Sequence, residues 1–279
     1  MTTTLAPSDR TVRDFYDLLP YNHFDDPATA IARARANPLS AYPDLDATLA
    51  EAGPGLSAVE IGCGTGWASN ALALHYGARA EGVDFSATAL ERARRVAEAT
   101  DSGARFVQSD LFAYRPATPP ALTLSIGVLH HTHDCRAAFD HVAGFVPSGG
   151  LFFLGLYHAP GRLPFLRHWR GLLEREGEAA ALAAFGRAMP QSPDPEHLAS
   201  VFRDQVLHPQ ESQHKLQEVW GWMEAAGLRL ISTSINRYGP VAEPEELFAE
   251  EAAYAALSEE RIAEGRYFPG FFTMLMERP

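Results

Sequence analysis

The sequence predicts an α/β fold in which a mostly parallel, Rossmann-like sheet of about seven strands carries helices on both faces. Two observations support this prediction. Through the centre of the chain, short apolar runs of strand length alternate with helical patterns. Such runs are typical of parallel strands buried on both faces. The 279 residues, 46% of them hydrophobic, allow one large domain or one domain with an added cap.

Five predicted strands lie in the centre of the chain, and each is rich in Val, Ile, Leu and Phe. They are Ser57–Ile61, Arg79–Val83, Ala104–Gln108, Ala121–Val128 and Gly150–Tyr157. The helices predicted between them are Ala68–Tyr76, Ala87–Thr100 and Cys135–Val146. Ser86 and Asp134 are candidate N-caps for the second and third of these helices.

The flanking segments are predicted to add helical structure to this core. Residues 1–50 contain helical stretches interrupted by prolines, which predicts an N-terminal helical lid. Residues 159–212 have helical apolar spacing with polar breaks, which predicts an insertion after strand five that forms a substrate cap. The pattern then resumes with two further strands, at Leu228–Ile235 and Gly270–Glu277. The core is therefore predicted to comprise residues 51–158 and 213–279.

Charge, cysteine content and hydropathy argue against several classes of protein. The net charge of −12 opposes non-specific attraction to nucleic acid. The two cysteines are too few for a disulfide framework or a Cys-rich zinc site. No apolar run approaches the roughly 18 residues that span a bilayer, and residues 1–10 lack the features of a signal peptide. We therefore expect a cytoplasmic monomer or homodimer with no nucleic-acid or membrane partner.

A glycine-rich loop joins the first predicted strand to the first helix. Its sequence is V-E-I-G-C-G-T-G at residues 59–66. Glycines at such a turn let the backbone approach a ligand and direct amide N–H groups at it. The dinucleotide fingerprint requires a small residue at position 67, where this chain has Trp67. We therefore expect a ligand with a nucleotide-like part, but not NAD or FAD.

Acidic residues end the next two strands at the same edge of the sheet. Asp84 follows strand two, and its carboxylate can accept both hydroxyl hydrogens of a ribose. Asp110 follows strand three and can accept from an adenine amino group, while Leu111 and Phe85 pack against the ring. Taken singly, each Asp is more often a solvated residue or a helix cap. Together with Glu60 on strand one, they indicate a nucleoside-binding edge.

The sequence resembles the bacterial class I S-adenosylmethionine-dependent methyltransferases in five segments. In chain order these are E-x-G-C-G-T-G, V-D, S-D-L-F, S-I-G-V-L-H-H and V-P-S-G-G-L-F-F-L. The resemblance covers residues 55–158 and 213–279. It implies strand order 3-2-1-4-5-7-6 with an antiparallel last strand, S-adenosylmethionine as cofactor and S-adenosylhomocysteine as product. In related small-molecule methyltransferases a lid closes over the cofactor, which is why Tyr21 of the predicted N-terminal lid is included below. The cofactor-binding residues expected on these grounds are Glu60, Gly62, Cys63, Gly64, Asp84, Phe85, Asp110, Leu111, Gly127 and Tyr21.

The candidate catalytic residues are His130 and His131, in the segment L-H-H-T-H-D-C that follows strand four. Methyl transfer from a sulfonium needs orientation and, where the nucleophile carries a proton, a base. An imidazole titrates near working pH, which favours one of these two residues as the base. The alternative is that both shape the turn. We expect no metal site here, because local spacing at a helix start rarely directs so many side chains to one centre.

The candidate substrate-binding residues are Tyr157, His158 and Arg162. The first two end strand five, where they can contribute a pocket floor or only an aromatic wall. Arg162 opens the basic, aromatic segment R-L-P-F-L-R-H-W-R, which can bind a carboxylate or phosphate. Alternatively, its aromatic residues dock a helix whose arginines stay solvated.

We therefore expect a methyltransferase that acts on a small molecule at an O, N, C or S nucleophile, with a pocket histidine as base. One alternative is an enzyme that transfers or cyclises the aminocarboxypropyl arm of the same cofactor and releases methylthioadenosine. Another is a non-catalytic S-adenosylmethionine-binding partner subunit. Methylation of RNA or protein would require a basic groove, for which residues 162–170 are the one local candidate.

Overall fold

A computed structural model describes residues 6–24, 26–192, 194–241 and 243–279. The first five residues, part of the segment assessed above for a signal peptide, lie outside this range. The described chain contains one seven-stranded sheet. Its strands are β1 (Ser57–Ile61), β2 (Arg79–Asp84), β3 (Arg105–Gln108), β4 (Leu122–Ile126), β5 (Leu151–Tyr157), β6 (Arg229–Thr233) and β7 (Phe271–Glu277).

The strand order is β3-β2-β1-β4-β5-β7-β6. Strand β7 runs antiparallel to both of its neighbours, and the other strand pairs are parallel. The predicted fold class and strand order are therefore confirmed. Strand β4 is shorter than predicted because Gly127 leaves the extended conformation at φ 76°, and a short 3₁₀ turn, Leu129–His131, follows.

Helices cover both faces of the sheet. In chain order they are α1 (Pro7–Leu18), α2 (Pro27–Arg35), α3 (Pro43–Ala52), α4 (Trp67–Tyr76), α5 (Ala87–Thr100), α6 (Cys135–Ala143), α7 (Ala159–Glu176), α8 (Glu178–Ala188), α9 (Pro195–Phe202), α10 (Leu216–Ala225), α11 (Pro244–Ala252) and α12 (Tyr254–Ala263). Both predicted caps are confirmed: the Ser86 hydroxyl accepts from Ala89 N–H, and the Asp134 carboxylate accepts from Ala137 N–H. None of the described helices is long and apolar enough to cross a bilayer.

Two apolar layers sandwich the central strands. On one side, Leu45 and Leu49 of α3 pack with Leu72 of α4 against β1 and β4. On the other, Phe139 of α6 packs with Trp222 of α10 against β5 and β7. Burial on both faces explains why these strands have continuous apolar sequences rather than alternating ones.

The segment after β5 forms a third apolar cluster of its own. Phe165, Trp169 and Phe185 lie at its centre. A π-helix at Arg203–Leu207 continues α9 and places Val206 in the same cluster. Tyr267, which follows α12, also joins it. The structure above the carboxyl end of the sheet therefore draws on residues near the C-terminus as well as on the insertion after β5.

Candidate active site

A cavity of about 490 Å³ lies at the carboxyl ends of the parallel strands. Its walls come from the glycine loop after β1, the ends of β2 to β5, helix α1 and the π-helix. Crevices at this edge are the usual ligand sites of open α/β sheets. The predicted cofactor residues in its wall are Gly62, Cys63, Gly64, Asp84, Phe85, Asp110, Leu111, Gly127 and Tyr21.

Backbone hydrogen bonds fix the glycine loop to strand β2. The N–H groups of Gly62 and Cys63 both donate to the carbonyl oxygen of Val83, at 2.7 and 3.0 Å. Gly62 has φ 73°, and a Cβ at this position would lie 2.4 Å from the side chain of Val128. A larger residue would therefore be strained and would push the loop away from β4.

Asp84 and Asp110 occupy the ends of adjacent strands, as predicted. The Asp84 carboxylate accepts from Gly64 N–H and Ser86 N–H, both at 2.8 Å, which ties the glycine loop to the end of β2. Burial raises the pKa of Asp84 to about 6, although these N–H donors favour its ionised form. Asp110 accepts from Phe112 N–H at 2.9 Å, which orients its carboxylate at the cavity edge.

Glu60 does not line the cavity. It is buried behind the loop, where its carboxylate accepts from the backbone N–H and the hydroxyl of Ser69, at 2.8 and 2.5 Å. Burial raises the pKa of Glu60 to about 8. The two hydrogen bonds from Ser69 to Glu60 anchor the first turn of α4 and thereby support the glycine loop.

The two candidate catalytic histidines occupy different environments. His130 is outside the cavity wall. Its Nδ1 accepts from Tyr157 N–H at 3.0 Å, and its ring stacks on the Tyr157 ring with centroids 3.9 Å apart. His131 lines the cavity, and its Nδ1–H donates to the carbonyl oxygen of Gln210 at 2.8 Å. Its Nε2 is buried without a hydrogen-bond partner among the described residues. Of the two, His131 is therefore the residue that lines the cavity and also has an unpartnered Nε2 lone pair.

The three candidate substrate residues are also separated by the fold. Tyr157 lines the cavity, whereas His158 and Arg162 do not. His158 is fully buried and its Nε2 pairs with Glu251 at 2.8 Å. Arg162 is fully buried and donates to both carboxylate oxygens of Glu211, at 3.0 and 2.7 Å. Arg162 and His158 therefore have internal partners and lie outside the cavity wall.

The inner end of the cavity contains a polar cluster that sequence reasoning missed. Asp204 of the π-helix accepts from the hydroxyls of Tyr16 and Tyr157, at 2.5 and 3.2 Å. His208 follows the π-helix and lies outside the cavity wall, where the centroid of its ring is 3.8 Å from that of the His131 ring. The four-residue spacing of Asp204 and His208 on a helical pattern was an available signal. The position of Asp204 and His208 next to the residues that follow β4 depends on tertiary contacts, which the local sequence pattern does not encode.

Helix α1 closes the cavity from above. Asp9 accepts from the backbone N–H of His133 at 2.9 Å and contacts its ring at 2.6 Å. Asp17 accepts from the Ser86 hydroxyl at 2.6 Å. These bonds join the helix to the ends of β4 and β2, so α1 is connected to both halves of the site.

Comparison with known proteins identifies the central part of the chain, which contributes the glycine loop and the strand ends of this site. Residues 58–150 match the family described as a methyltransferase domain. An uncharacterised protein from Synechococcus sp. is 26% identical over 199 residues, which cover 63% of this chain and 48% of that protein. The chain thus spans about half the length of this curated relative.

Several solved structures share the fold. Magnesium protoporphyrin IX methyltransferase from Synechocystis PCC 6803, crystallised with S-adenosylmethionine, has 16% identity and a TM-score of 0.55 over all of both chains. An S-adenosylmethionine-dependent methyltransferase from Mesorhizobium loti has 20% identity and a TM-score of 0.52, over 85% of this chain and 97% of that one. The 4+2 cyclase SpnF has 14% identity and a TM-score of 0.55, over 99% and 98%. Residues 58–150 therefore belong to the methyltransferase-domain family, and the chain has the class I S-adenosylmethionine-dependent methyltransferase fold.

Proposed function

We propose that this chain binds S-adenosylmethionine in the 490 Å³ cavity and transfers its methyl group to a small molecule. The methyltransferase-domain family uses this cofactor, in agreement with the sequence prediction. The observation that carries the proposal is the continuity of one cavity. This cavity extends from the glycine loop and the carboxylates of Asp84 and Asp110 to an inner end that contains His131 and Asp204.

The residues of the outer half fit this cofactor. A Cβ at Gly64 would meet no atom within 4 Å, so the space beside this residue is open and a ligand can approach the loop backbone. Asp84 retains carboxylate lone pairs for ribose hydroxyls, and Asp110 does so for an adenine amino group. Leu111 and Phe85 provide apolar surface for a ring. S-adenosylmethionine, when bound, supplies a methyl group on a positively charged sulfur.

A small molecule fits the cavity better than a macromolecule. Helix α1 and the π-helix cover the inner end, so a substrate must be enclosed. The charged residues of the cavity wall are mainly acidic, namely Asp9, Asp84, Asp110 and Asp204 against Arg33. Nucleic acid would meet unfavourable charge at this wall and over the whole chain, whose net charge is −12.

His131 is the proposed proton acceptor for a nucleophile that carries a proton. Its Nδ1–H bond to Gln210 fixes the ring and leaves the Nε2 lone pair available. We expect H131Q to lower kcat by roughly 100-fold or more, because general base catalysis contributes on that order. Its affinity for S-adenosylhomocysteine should stay within about twofold of wild type. H168Q, which removes an exposed imidazole of α7, is the matched control. Unchanged turnover in H131Q would remove His131 from the mechanism.

Mass spectrometry tests the activity itself. The full chain is incubated with S-adenosylmethionine, alone and with a small-molecule extract of bacterial cells. We expect extract-dependent S-adenosylhomocysteine and a product heavier by one methylene. Methylthioadenosine above the control without protein would instead assign attack within the aminocarboxypropyl arm. Binding of S-adenosylmethionine without any product from extracts would favour the non-catalytic subunit.

A further inference from the structure

Asp204 is a buried carboxylate at the inner end of the cavity, and its charge has no cationic partner. It is 5% exposed and belongs to the cavity wall. Its oxygens accept from the hydroxyls of Tyr16 and Tyr157, and from Nε2–H of its neighbour Gln205 at 2.9 Å. These donors are neutral, and the ion pairs of the described residues do not include Asp204. Because a buried charge is costly without an opposite charge nearby, this position favours a ligand cation.

The cationic side chains near the cavity have other partners or lie elsewhere. The guanidinium of Arg162 donates to both carboxylate oxygens of Glu211, which matches its charge. Arg33, the one arginine of the described cavity wall, is an exposed residue of α2. Burial lowers the pKa of His131, which keeps its imidazole neutral at pH 7. Among the described residues, the charge of Asp204 is therefore uncompensated.

The hydrogen bonds around Asp204 leave acceptors for a ligand. The hydroxyl hydrogens of Tyr16 and Tyr157 are both used on this carboxylate. The two phenol oxygens keep lone pairs, and a carboxylate that accepts three bonds has room for a fourth. Tyr157 can contribute only this oxygen, because the ring of His130 and the guanidinium of Arg162 lie against its ring. A group that only donates hydrogen bonds fits these acceptors, and an ammonium is such a group.

Three tyrosine rings line the cavity near this carboxylate. They belong to Tyr16, Tyr21 and Tyr267. Burial, together with the negative charge of Asp204, raises the pKa of all three hydroxyls, so each ring lies within the electrostatic reach of the carboxylate. The face of an aromatic ring attracts cations, and rings combined with a carboxylate are a common site for amines. The rings and Asp204 therefore favour the same kind of ligand group.

We propose that Asp204 and these three tyrosines bind an ammonium group of the substrate, so that the substrate is a small molecule that carries a basic amine. The inference rests on the proposed function and names its substrate class. An ammonium supplies the missing positive charge, and its N–H groups donate to the remaining lone pairs. A carboxylate or phosphate would add a second negative charge beside Asp204. A neutral alcohol would leave the charge of Asp204 uncompensated.

The sulfonium of the cofactor is one competing partner for this charge. The cofactor carboxylates Asp84 and Asp110 follow β2 and β3, whereas Asp204 bonds to Tyr157 at the end of β5. Strand β4 separates β5 from β1 in the sheet. With strands about 4.8 Å apart, the end of β5 lies roughly 10 Å from the glycine loop after β1 and further from β2. Asp204 therefore lies on the side of the cavity away from the ribose-binding carboxylate.

A metal ion is the other competing cation. One ligand atom each of Asp204, His131 and His208 lies within 4.8 Å of the others. Nδ1 of His208 accepts from the backbone N–H of Gln210 at 3.1 Å, so the neutral ring carries its hydrogen on Nε2. That ring has no lone pair left for a metal, and the protein geometry favours the ammonium.

Three small probes of similar size test the charge preference of the full chain, saturated with S-adenosylhomocysteine. They are benzylammonium, benzyl alcohol and benzoate, and ligand-detected NMR titration measures each Kd. We expect wild type to bind benzylammonium at least about tenfold more tightly than the other two, and D204N to lose this preference. D14N, which removes an exposed carboxylate of α1, should keep it. Absence of benzylammonium binding at millimolar concentration, no preference in wild type, or an unchanged preference in D204N would each overturn the proposal.

Two further titrations separate the ammonium from the competing cations. S-adenosylmethionine carries a charge on sulfur and S-adenosylhomocysteine does not, and calorimetry measures the affinity of each. D204N should keep both affinities within about twofold of wild type. Loss of affinity for S-adenosylmethionine alone would assign Asp204 to the sulfonium and overturn the proposal. One equivalent of Zn²⁺ that binds wild type, but not H208Q, and displaces benzylammonium would overturn it in favour of a metal.

The product provides an independent readout. With S-adenosylmethionine labelled by ¹³C in its methyl group and a small-molecule extract of bacterial cells, we expect a labelled compound that a cation exchanger retains at pH 7. A labelled product without an amine would overturn the substrate class while leaving methyl transfer intact. Absence of any labelled small molecule would contradict the proposed function, and with it the substrate class that rests on it.

The kinetics of D204N with that compound distinguish substrate binding from an effect on the base. We expect KM to rise by about tenfold or more, and by more than kcat falls, because the variant loses a charged hydrogen bond to the substrate. A fall in kcat at unchanged KM would instead assign Asp204 to the support of His131 and overturn the proposal.

Discussion

Arg162 illustrates how a buried charge contributes to the fold rather than to ligand binding. Its guanidinium donates to Glu211 and Gln205, and lies 3.7 Å from the centroid of the Tyr157 ring. The carboxylate and the guanidinium are both nearly inaccessible to water. Removing one member of such a pair leaves the other charge buried and uncompensated.

We expect R162A to lower the free energy of unfolding by about 3 to 5 kcal/mol, as measured by urea denaturation. R167A, which removes an exposed arginine of the same helix, should change it by less than about 0.5 kcal/mol. A stable R162A variant with weakened substrate binding would contradict this account and support the original prediction of a substrate contact.

Glu60 should make stability depend on pH in an unusual direction. Its pKa rises from 4.5 to about 8 on folding because of burial. The folded state therefore holds the proton more tightly, and the contribution of Glu60 to stability falls as pH rises from about 4.5 to about 8. We expect wild type to lose roughly 2 to 4 kcal/mol more than E60Q between pH 5 and pH 8.5. Urea denaturation at both pH values measures this difference, and parallel losses in the two proteins would contradict it.

At the scale of elements, helix α1 is joined to the site by polar contacts at both ends. Asp9 bonds to His133 near the start of the helix, and Asp17 bonds to Ser86 near its end. Tyr16 reaches Asp204 between them. Val12 is the one buried apolar side chain of this helix among the described residues, and Phe15 and Tyr16 are half-buried. Its opening should therefore depend on these bonds.

We expect D9A to raise amide hydrogen exchange in α1 by roughly 5- to 30-fold, the effect of losing about 1 to 2 kcal/mol. D14A is the matched control because Asp14 is exposed on the same helix and pairs with its neighbour Arg13. Exchange in the central strands should not change. Equal exchange in α1 of D9A, D14A and wild type would show that other contacts hold this helix.

Local sequence patterns predicted most elements because their causes are local. The glycine loop, the caps at Ser86 and Asp134, and the buried apolar strands each have a signature within a few residues. Strand ends were less predictable. Strand β6 stops at Thr233 rather than at Ile235 because Ser234 and Ile235 enter a turn whose bonds involve Thr273 and Thr233.

At the scale of the whole molecule, the sequence predicted the outer half of the cavity wall more fully than the inner half, where it indicated His131 and Tyr157 but not Asp204. The residues that line the outer half belong to the loop after β1 and to the ends of the next two strands, so their order along the chain places them together. Asp204 and His208 reach His131 across more than 70 residues. Burial of Arg162 and His158 likewise depends on partners distant in sequence, Glu211 and Glu251.

Calorimetric titration of S-adenosylhomocysteine into the full chain tests the central claim most directly, because it requires no knowledge of the substrate. We expect one binding site per chain. D84N should weaken the affinity by roughly 10- to 100-fold, because the carboxylate forms charged hydrogen bonds worth about 1.5 to 3 kcal/mol. D14N should bind like wild type. Absence of binding at millimolar ligand, or equal affinity in D84N and wild type, would contradict the assignment of this cavity to S-adenosylmethionine.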